Sequence, residues 1–304
     1  MAKFRDSQPA EAQVEPAPPP AAGDELPARS IGAIISETRN LSAEQVERVL
    51  AYQRAKGVRF GEAAIALGLA STDDVLFALA QQFHYPYAPE ETRSFDPELV
   101  VLGRPFSPQA EVFRALRSQV MLRLFGEAEP SPRALAVVSA EAGDGKTYVA
   151  ANLAVALAQL GGRTLLVDAD MRVPRQHELF RLSNGAGLSG ILSGRAERQV
   201  VQQVAGVPSL FVLPVGAVPP NPLELVERSA FPLLMRELTG KFDHVIVDTP
   251  ALAQGADAQV IAARCGAALG VARRNVSRVA ALQELSAQIT QTSAQMLGFI
   301  VNEH

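Results

Sequence analysis

Tryptophan is absent from this chain of 304 residues, cysteine occurs once and tyrosine only four times. The lone Cys265 excludes an internal disulfide and suits a reducing compartment. No cysteine–histidine cluster has zinc-ligand spacing, and the serines and histidines suggest no hydrolase triad. No apolar run approaches the roughly 20 residues that a bilayer span needs. The N-terminus is polar and proline-rich, without the apolar core of a signal peptide. Large net charge is missing too: at −4 nothing global draws the chain to nucleic acid or anionic lipid. The expectation is a soluble cytoplasmic protein that reaches a membrane only through a partner.

What is there divides into four stretches. Residues 1–28, rich in Ala, Pro and Glu, read as a disordered tail. Residues 29–84 read as a small α-helical repeat domain, because Gly32, Val46, Leu50 and Gln53 recur at one offset as Gly61, Val75, Leu79 and Gln82. Each half reads as a short helix and then a longer one, with Ser42 and Thr72 (or Ser71) as N-caps. Residues 85–108 open with Tyr85-Pro86-Tyr87 just after His84 and carry further prolines and few periodic apolars, so they read as a linker. From 109 to 304 strands at 134–139, 163–168, 209–214, 243–248, 267–272 and 297–301 alternate with helices. The fold class expected is an α/β P-loop NTPase with a mostly parallel sheet covered by helices on both faces, preceded by a small all-α domain.

Chemistry is concentrated at the ends of those strands. Ser139-Ala140-Glu141-Ala142-Gly143-Asp144-Gly145-Lys146-Thr147 follows one apolar run and opens a helical pattern, the context of a phosphate-binding loop. Ala140 stands where the usual spacing has its first glycine, and a small residue still permits the turn. The backbone of Ala142, Gly143, Asp144, Gly145, Lys146, Thr147 and Tyr148 would cradle phosphates, with Lys146 on the terminal phosphates and the Thr147 hydroxyl on Mg²⁺. A second strand delivers Asp168 and Asp170, two carboxylates at i and i+2 that alternation would point the same way. They suit Mg²⁺ or proton transfer, or else a solvated acidic turn. A third ends at Asp248 before Thr249-Pro250, a Mg²⁺-shell carboxylate or a plain cap. Arg273 and Asn302 follow two further strands, as base or ribose contacts or as caps.

These segments resemble the Walker A, A′ and B motifs of the bacterial tyrosine kinases that govern exopolysaccharide synthesis. The A′ pattern Asp168-x-Asp170-x-Arg172 behind an apolar triplet is the specific one. Glu111-x-x-Arg114-x-x-Arg117 matches that family's oligomerisation motif, three residues apart on one helix face. Gly187-Leu188-Ser189 and Pro219-Pro220-Asn221-Pro222-Leu223-Glu224-Leu225 are similar to it as well. The resemblance implies an ATP- and Mg²⁺-dependent tyrosine autokinase with Lys146, Asp168 and Asp170 as catalytic residues. Asp168 would position or deprotonate the tyrosine hydroxyl, and Thr147, Asp170 and Asp248 would serve the metal. It implies as partners an inner-membrane polysaccharide co-polymerase and further copies of the chain in a ring. The small domain in front makes the chain similar to chain-length-determinant kinases of the EpsG type.

That small domain itself resembles the N-terminal domain of type II secretion and pilus ATPases. The second half fits through Arg59, Phe60, Gly61, Gly68, Leu69 and Gln82, while Ser30 and Arg39 depart in the first. The resemblance implies either a docking module or a site for cyclic di-GMP. The family's C-terminal tyrosine cluster is missing: the tyrosines are Tyr52, Tyr85, Tyr87 and Tyr148. Tyr85 and Tyr87 are the candidate phosphoacceptors, or else packed anchors. Alternatives to the kinase are a non-phosphorylating ATP switch, a cyclic-di-GMP-gated ATPase, and a partitioning ATPase. Glu141 argues against the last, since those enzymes place a lysine early in the loop.

Overall fold

A computed structural model describes residues 30–82, 96–125, 134–195 and 200–303. The expected tail at 1–28 and the candidate acceptors Tyr85 and Tyr87 lie outside the described residues. The chain divides between Ala70 and Ser71 into two units.

The first unit holds α1 (Ile31–Thr38), α2 (Ala43–Lys56) and α3 (Phe60–Ala66). Ser30 caps α1, and Ser42 with Gln45 forms a reciprocal capping box on α2. Val49, Ala63 and Ala64 form its core, with Tyr52, Phe60, Leu67 and Leu69 packed around them. Gly61 is buried in this unit and Gly68 turns the chain after α3. Packing and turn formation therefore account for Phe60, Gly61, Gly68 and Leu69.

The second unit opens with α4 (Thr72–Gln82), so the division falls ahead of this helix rather than at residue 84. Ser71, not Thr72, caps it: the Asp74 N–H donates to Ser71 Oγ at 3.2 Å. Then come α5 (Val100–Gly103), α6 (Pro108–Arg123), β1 (Ala134–Ser139), α7 (Lys146–Ala158), β2 (Thr164–Asp168), α8 (Gln176–Leu179) and α9 (Leu188–Leu192). They are followed by β3 (Gln202–Gln203), β4 (Leu210–Leu213), α10 (Pro222–Glu227), α11 (Ala230–Lys241), β5 (His244–Asp248), a 3-10 turn at Leu252–Gln254, α12 (Asp257–Cys265), β6 (Gly266–Arg273), α13 (Val279–Thr290) and β7 (Gln295–Asn302).

The strands form one sheet in the order β3-β4-β2-β5-β1-β6-β7. All neighbours are parallel except β3, which runs antiparallel to β4. Alternate residues of each strand feed opposite cores. Leu135, Val137, Leu166 and Ile246 join α6 and α7 on one face. Ala136, Val138, Leu165, Val167, Val245 and Val247 join α11 and α12 on the other. Burial on both faces explains why β1, β2 and β5 read as continuous apolar runs.

One boundary is corrected. Residues 96–107, expected to be linker, belong to the second unit. Leu99, Val100, Val101 and Leu102 are all buried. The buried Asn152 of α7 ties this strap down: its Oδ1 accepts from the Val101 N–H at 3.1 Å and its Nδ2 donates to the Glu98 carbonyl at 2.8 Å. Four apolar residues in a row give no helical or strand period, and the prolines on either side disguise them as loop.

Candidate active site

Parallel sheets gather ligands at the carboxyl ends of their strands. Here those ends are Ser139, Asp168, Asp248, Arg273 and Asn302. Asp168 lies in register with Asp248, and Arg273 with Asn302. A cavity of about 740 Å³ opens along this edge, within the size range of small-ligand sites. Ala142, Gly143, Gly145, Lys146, Thr147, Tyr148, Asp170, Arg273 and Asn302 all line it.

The loop from β1 to α7 is built from the inside. Gly145 adopts φ +100, and a Cβ there would come 2.2 Å from Asn302 Nδ2, so only glycine fits. Asp144 is buried: its carboxylate accepts from the Glu141 N–H at 3.1 Å and the Ser277 hydroxyl at 2.8 Å. The Asp144 side chain therefore braces the loop and is not among the residues that line the cavity, which leaves its backbone N–H as the group that would meet phosphate. Asn302 both braces the loop and lines the cavity, since Nδ2 also donates to the Asp144 carbonyl at 3.2 Å. Lys146 is nearly buried, and its Nζ donates to Ser139 Oγ at 3.0 Å.

The carboxylates do not sit as alternation implied. The strand stops at Asp168, so Asp170 belongs to the following turn. Asp170 Oδ1 accepts from the N–H groups of Arg172 at 3.1 Å and Val173 at 3.0 Å, and the residue lines the cavity. Asp168 and Asp248 are fully buried beneath it. The Gln176 N–H donates to Asp168 Oδ2 at 3.0 Å, and Gln176 Nε2 donates to Asp248 Oδ2 at 2.9 Å and to the Thr147 carbonyl at 3.1 Å.

Two neighbouring buried carboxylates resist ionisation. Burial, and then the Asp248 charge, push Asp168 well above the usual carboxylate range, against the Gln176 N–H. Burial lifts Asp248 to about 6, against the Gln176 amide and the Lys146 charge. Burial also raises Asp170, which the Arg172 and Val173 N–H groups and Lys146 oppose.

This donor set fits Mg²⁺. Asp248 Oδ1 is a buried acceptor with no hydrogen bond to it. Thr147, Asp170 and Asp248 offer hard oxygens, and a cation would relieve the raised proton affinities. Among the described residues no group of three or more His, Cys, Asp or Glu side chains would hold a metal by itself. Mg²⁺ beside phosphates needs only one or two carboxylates, the rest of its octahedron being water and phosphate oxygen.

Sequence reasoning missed several lining or bracing residues. Glu98 and Arg175 pair at 2.8 Å, and both line the cavity with Arg104 and Gln109. Gln176 lies eight residues past Asp168 at the start of the short helix α8, in no motif, and Ser139 closes β1 as a partner of Lys146 that the loop pattern does not show. Tyr148 is half-buried, edge-on to Phe113 at 5.4 Å. Its burial raises the phenol above its ordinary value, with Arg104 opposing and Glu98 adding.

The expected oligomerisation stripe is placed differently. Glu111 is exposed, but Arg114 turns back on its own chain: Nε pairs with Glu111 at 2.9 Å, and both terminal nitrogens donate to the Pro105 carbonyl. Arg117 Nη1 donates to the Ala156 carbonyl at 3.0 Å. An arginine's reach lets it serve distant carbonyls that helical spacing does not show.

Fold and site together define a nucleotide-binding protein of the phosphate-loop class. The model of the CobQ/CobB/MinD/ParA nucleotide binding domain matches residues 135–304. The putative tyrosine-protein kinase CapB of Staphylococcus aureus is 35% identical over 208 residues, covering 67% of this chain and 89% of that protein. The kinase domain of Escherichia coli tyrosine kinase ETK superposes with a TM-score of 0.65 at 32% identity, covering 69% of this chain and 81% of that one. The septum site-determining protein MinD complexed with Mg-ADP, from Pyrococcus horikoshii OT3, does so with 0.50 at 26% identity, covering 57% and 70%. The chain belongs to the bacterial tyrosine kinase family, within that larger nucleotide-binding superfamily.

Proposed function

We propose that the chain transfers the terminal phosphate of ATP to protein tyrosine, and that it does so beside an inner-membrane chain-length determinant of exopolysaccharide synthesis. The observation that carries this reading is the meeting of Lys146, Thr147 and Asp170 on one cavity, with Asp168 and Asp248 directly below. Lys146 would hold the terminal phosphates and the loop amides the rest. Thr147 and Asp170 would hold Mg²⁺, with Asp248 beneath. The metal supplies charge neutralisation on the phosphoryl oxygens. Asp168 would orient or deprotonate the tyrosine hydroxyl only after the bound cation lowers its raised proton affinity and the cavity opens to it, because in the nucleotide-free chain it is fully buried. Arg273 and Asn302 would bound the base and ribose. No described helix is long and apolar enough to cross a membrane; contact with the membrane through the co-polymerase is part of the proposal.

The EpsG-type arrangement is part of the same proposal, with the first unit as its docking module. Cyclic di-GMP gains no support: the family model begins at Leu135, and packing and turn formation account for Phe60, Gly61, Gly68 and Leu69. Ring assembly through α6 is also a proposal. Arg114→Ala with Arg117→Ala is expected to shift sedimentation toward monomer. An unaltered profile would remove these two arginines from the interface.

The activity is tested by incubating purified protein with ATP and Mg²⁺, with and without the cytoplasmic end of a co-polymerase, followed by phosphopeptide mapping. Phosphotyrosine, in the 85–87 region or on an added protein, is expected, and Asp168→Asn should lose transfer while retaining Mg²⁺-nucleotide binding. A second reading, an ATP switch without transfer, is favoured by the packing of Tyr52 and Tyr148 against their own cores. Hydrolysis with no phosphotyrosine under either condition would select it.

A further inference from the structure

Arg172 is the third member of the A′ pattern, yet it does not line the cavity. Its Nη2 pairs with Asp257 Oδ2 at 2.9 Å. Asp257 is the first residue of α12, with only 2% of its side chain exposed, whereas Arg172 is 31% exposed. The pair joins two loops of separate origin. Arg172 follows β2 and the turn that presents Asp170; Asp257 follows β5 and Asp248. Neither end is fully satisfied elsewhere, since Arg172 Nε and Asp257 Oδ1 are buried without hydrogen bonds. A buried carboxylate committed to one arginine is costly to keep. Packing stability alone does not call for it.

Two features tie the pair to Asp170. The Arg172 N–H is one of the two that hold Asp170 Oδ1, so fixing the Arg172 side chain fixes the donor that orients the carboxylate. Gly255, with φ +153, closes against the pair: a Cβ there would stand 2.6 Å from Asp257 Oδ2 and 2.8 Å from Arg172 Nη2. The loop after β5 thus leaves a space that the ion pair fills.

We propose that Asp257, acting through Arg172 and seated against Gly255, is a positioning residue that sets the Asp170 carboxylate for the metal-bearing nucleotide. It couples the loop carrying Asp170 to the one that follows Asp248, so that both carboxylates face one ion in a fixed relation. This rests on the reading of Asp170 as a metal-shell carboxylate. Groups that orient metal ligands from behind typically cost about 10- to 100-fold in metal affinity when removed.

The test is calorimetric titration of the full chain with ADP, once with Mg²⁺ and once with chelator. Asp257→Asn should lose about tenfold or more of the Mg²⁺-dependent gain in ADP affinity, with metal-free ADP binding unchanged. Because Asp257→Asn leaves the partly exposed Arg172 without its carboxylate, the double variant Arg172→Gln with Asp257→Asn, which leaves no charge unpaired, should be examined beside it and show the same selective loss. Equal loss with and without Mg²⁺ would mean that the pair only holds the fold, and an unchanged Mg²⁺ gain would mean that it positions nothing; either overturns the proposal. If the unmodified chain binds ADP with no Mg²⁺ dependence at all, the assignment of the metal site itself fails, and the two failures are thereby distinguished.

Discussion

Lys146→Met is expected to remove ATP turnover while leaving the fold intact. The Lys146 ammonium is almost buried and is held by a neutral hydroxyl, Ser139 Oγ, at 3.0 Å. Methionine keeps most of the stem's volume and can occupy the same channel between the loop and β1. Methionine removes a desolvated charge, but also the charge that eases the buried Asp170 and Asp248, so a modest fall in the melting temperature without nucleotide is expected at neutral pH. The transition state is another matter. Charge grows on the phosphoryl oxygens as the bond breaks, and a preorganised donor in a water-poor site is then worth far more than in solution. Loss of one such donor costs about 10²–10³ in rate, and a charged donor stands at the upper end. A second consequence follows from the carboxylates: Lys146 lowers the proton affinity of Asp170 and Asp248, and both should rise further in the variant. Coupled ATPase assays and thermal melts on the same preparation check this. Unchanged turnover would refute the phosphate-loop assignment, and a collapsed melt would make the lysine structural.

Much of this site is legible in the sequence for a physical reason. Strands β1, β2 and β5 are buried on both faces, so each holds a continuous apolar run, and the polar residue that closes the run (Ser139, Asp168, Asp248) marks the strand end. The phosphate loop is legible because Gly145 must have no Cβ against Asn302. Where local pattern stops governing, the reading fails. Alternation placed Asp168 and Asp170 on one side, but the chain leaves the strand at Asp168, and the two carboxylates end at different depths. Leu99–Leu102 has no period, and it is buried through contacts with α6 and α7, which the sequence supplies only later. Gln176, the amide that joins Asp168, Asp248 and the Thr147 carbonyl, depends on three distant elements closing together. Strand β3 is two glutamines long, with too little pattern to show. The inward turn of Arg114 and Arg117 likewise depends on carbonyls at Pro105 and Ala156 that helical spacing cannot indicate.

Asp248→Asn should separate stability from function in opposite directions. In the metal-free protein Asp248 is fully buried, faces Asp168 in register on the next strand, and titrates near pH 6 instead of 3.8. Its folded form therefore holds the proton more tightly than the unfolded form does. Its contribution to stability falls as pH climbs from 3.8 to about 6, and the full penalty remains above that. About two pH units correspond to roughly 3 kcal/mol at most. The Gln176 amide and the Lys146 charge already reduce the shift, but they do not cancel it. Asparagine removes the ionisation while keeping the shape and an acceptor for Gln176 Nε2. In chelator at pH 8 the variant should melt higher than the unmodified chain, and the difference should shrink towards pH 4. Mg²⁺-ADP binding should move the other way, because the cation that would neutralise this carboxylate loses its partner. A metal-free melt at pH 8 that is lower for Asp248→Asn would show that the carboxylate is not strained by burial. Unaltered Mg²⁺-dependent affinity would place the ion away from β5. Together, a higher metal-free melt and a lost magnesium response would mean that the buried acids are kept for the ion and not for the fold.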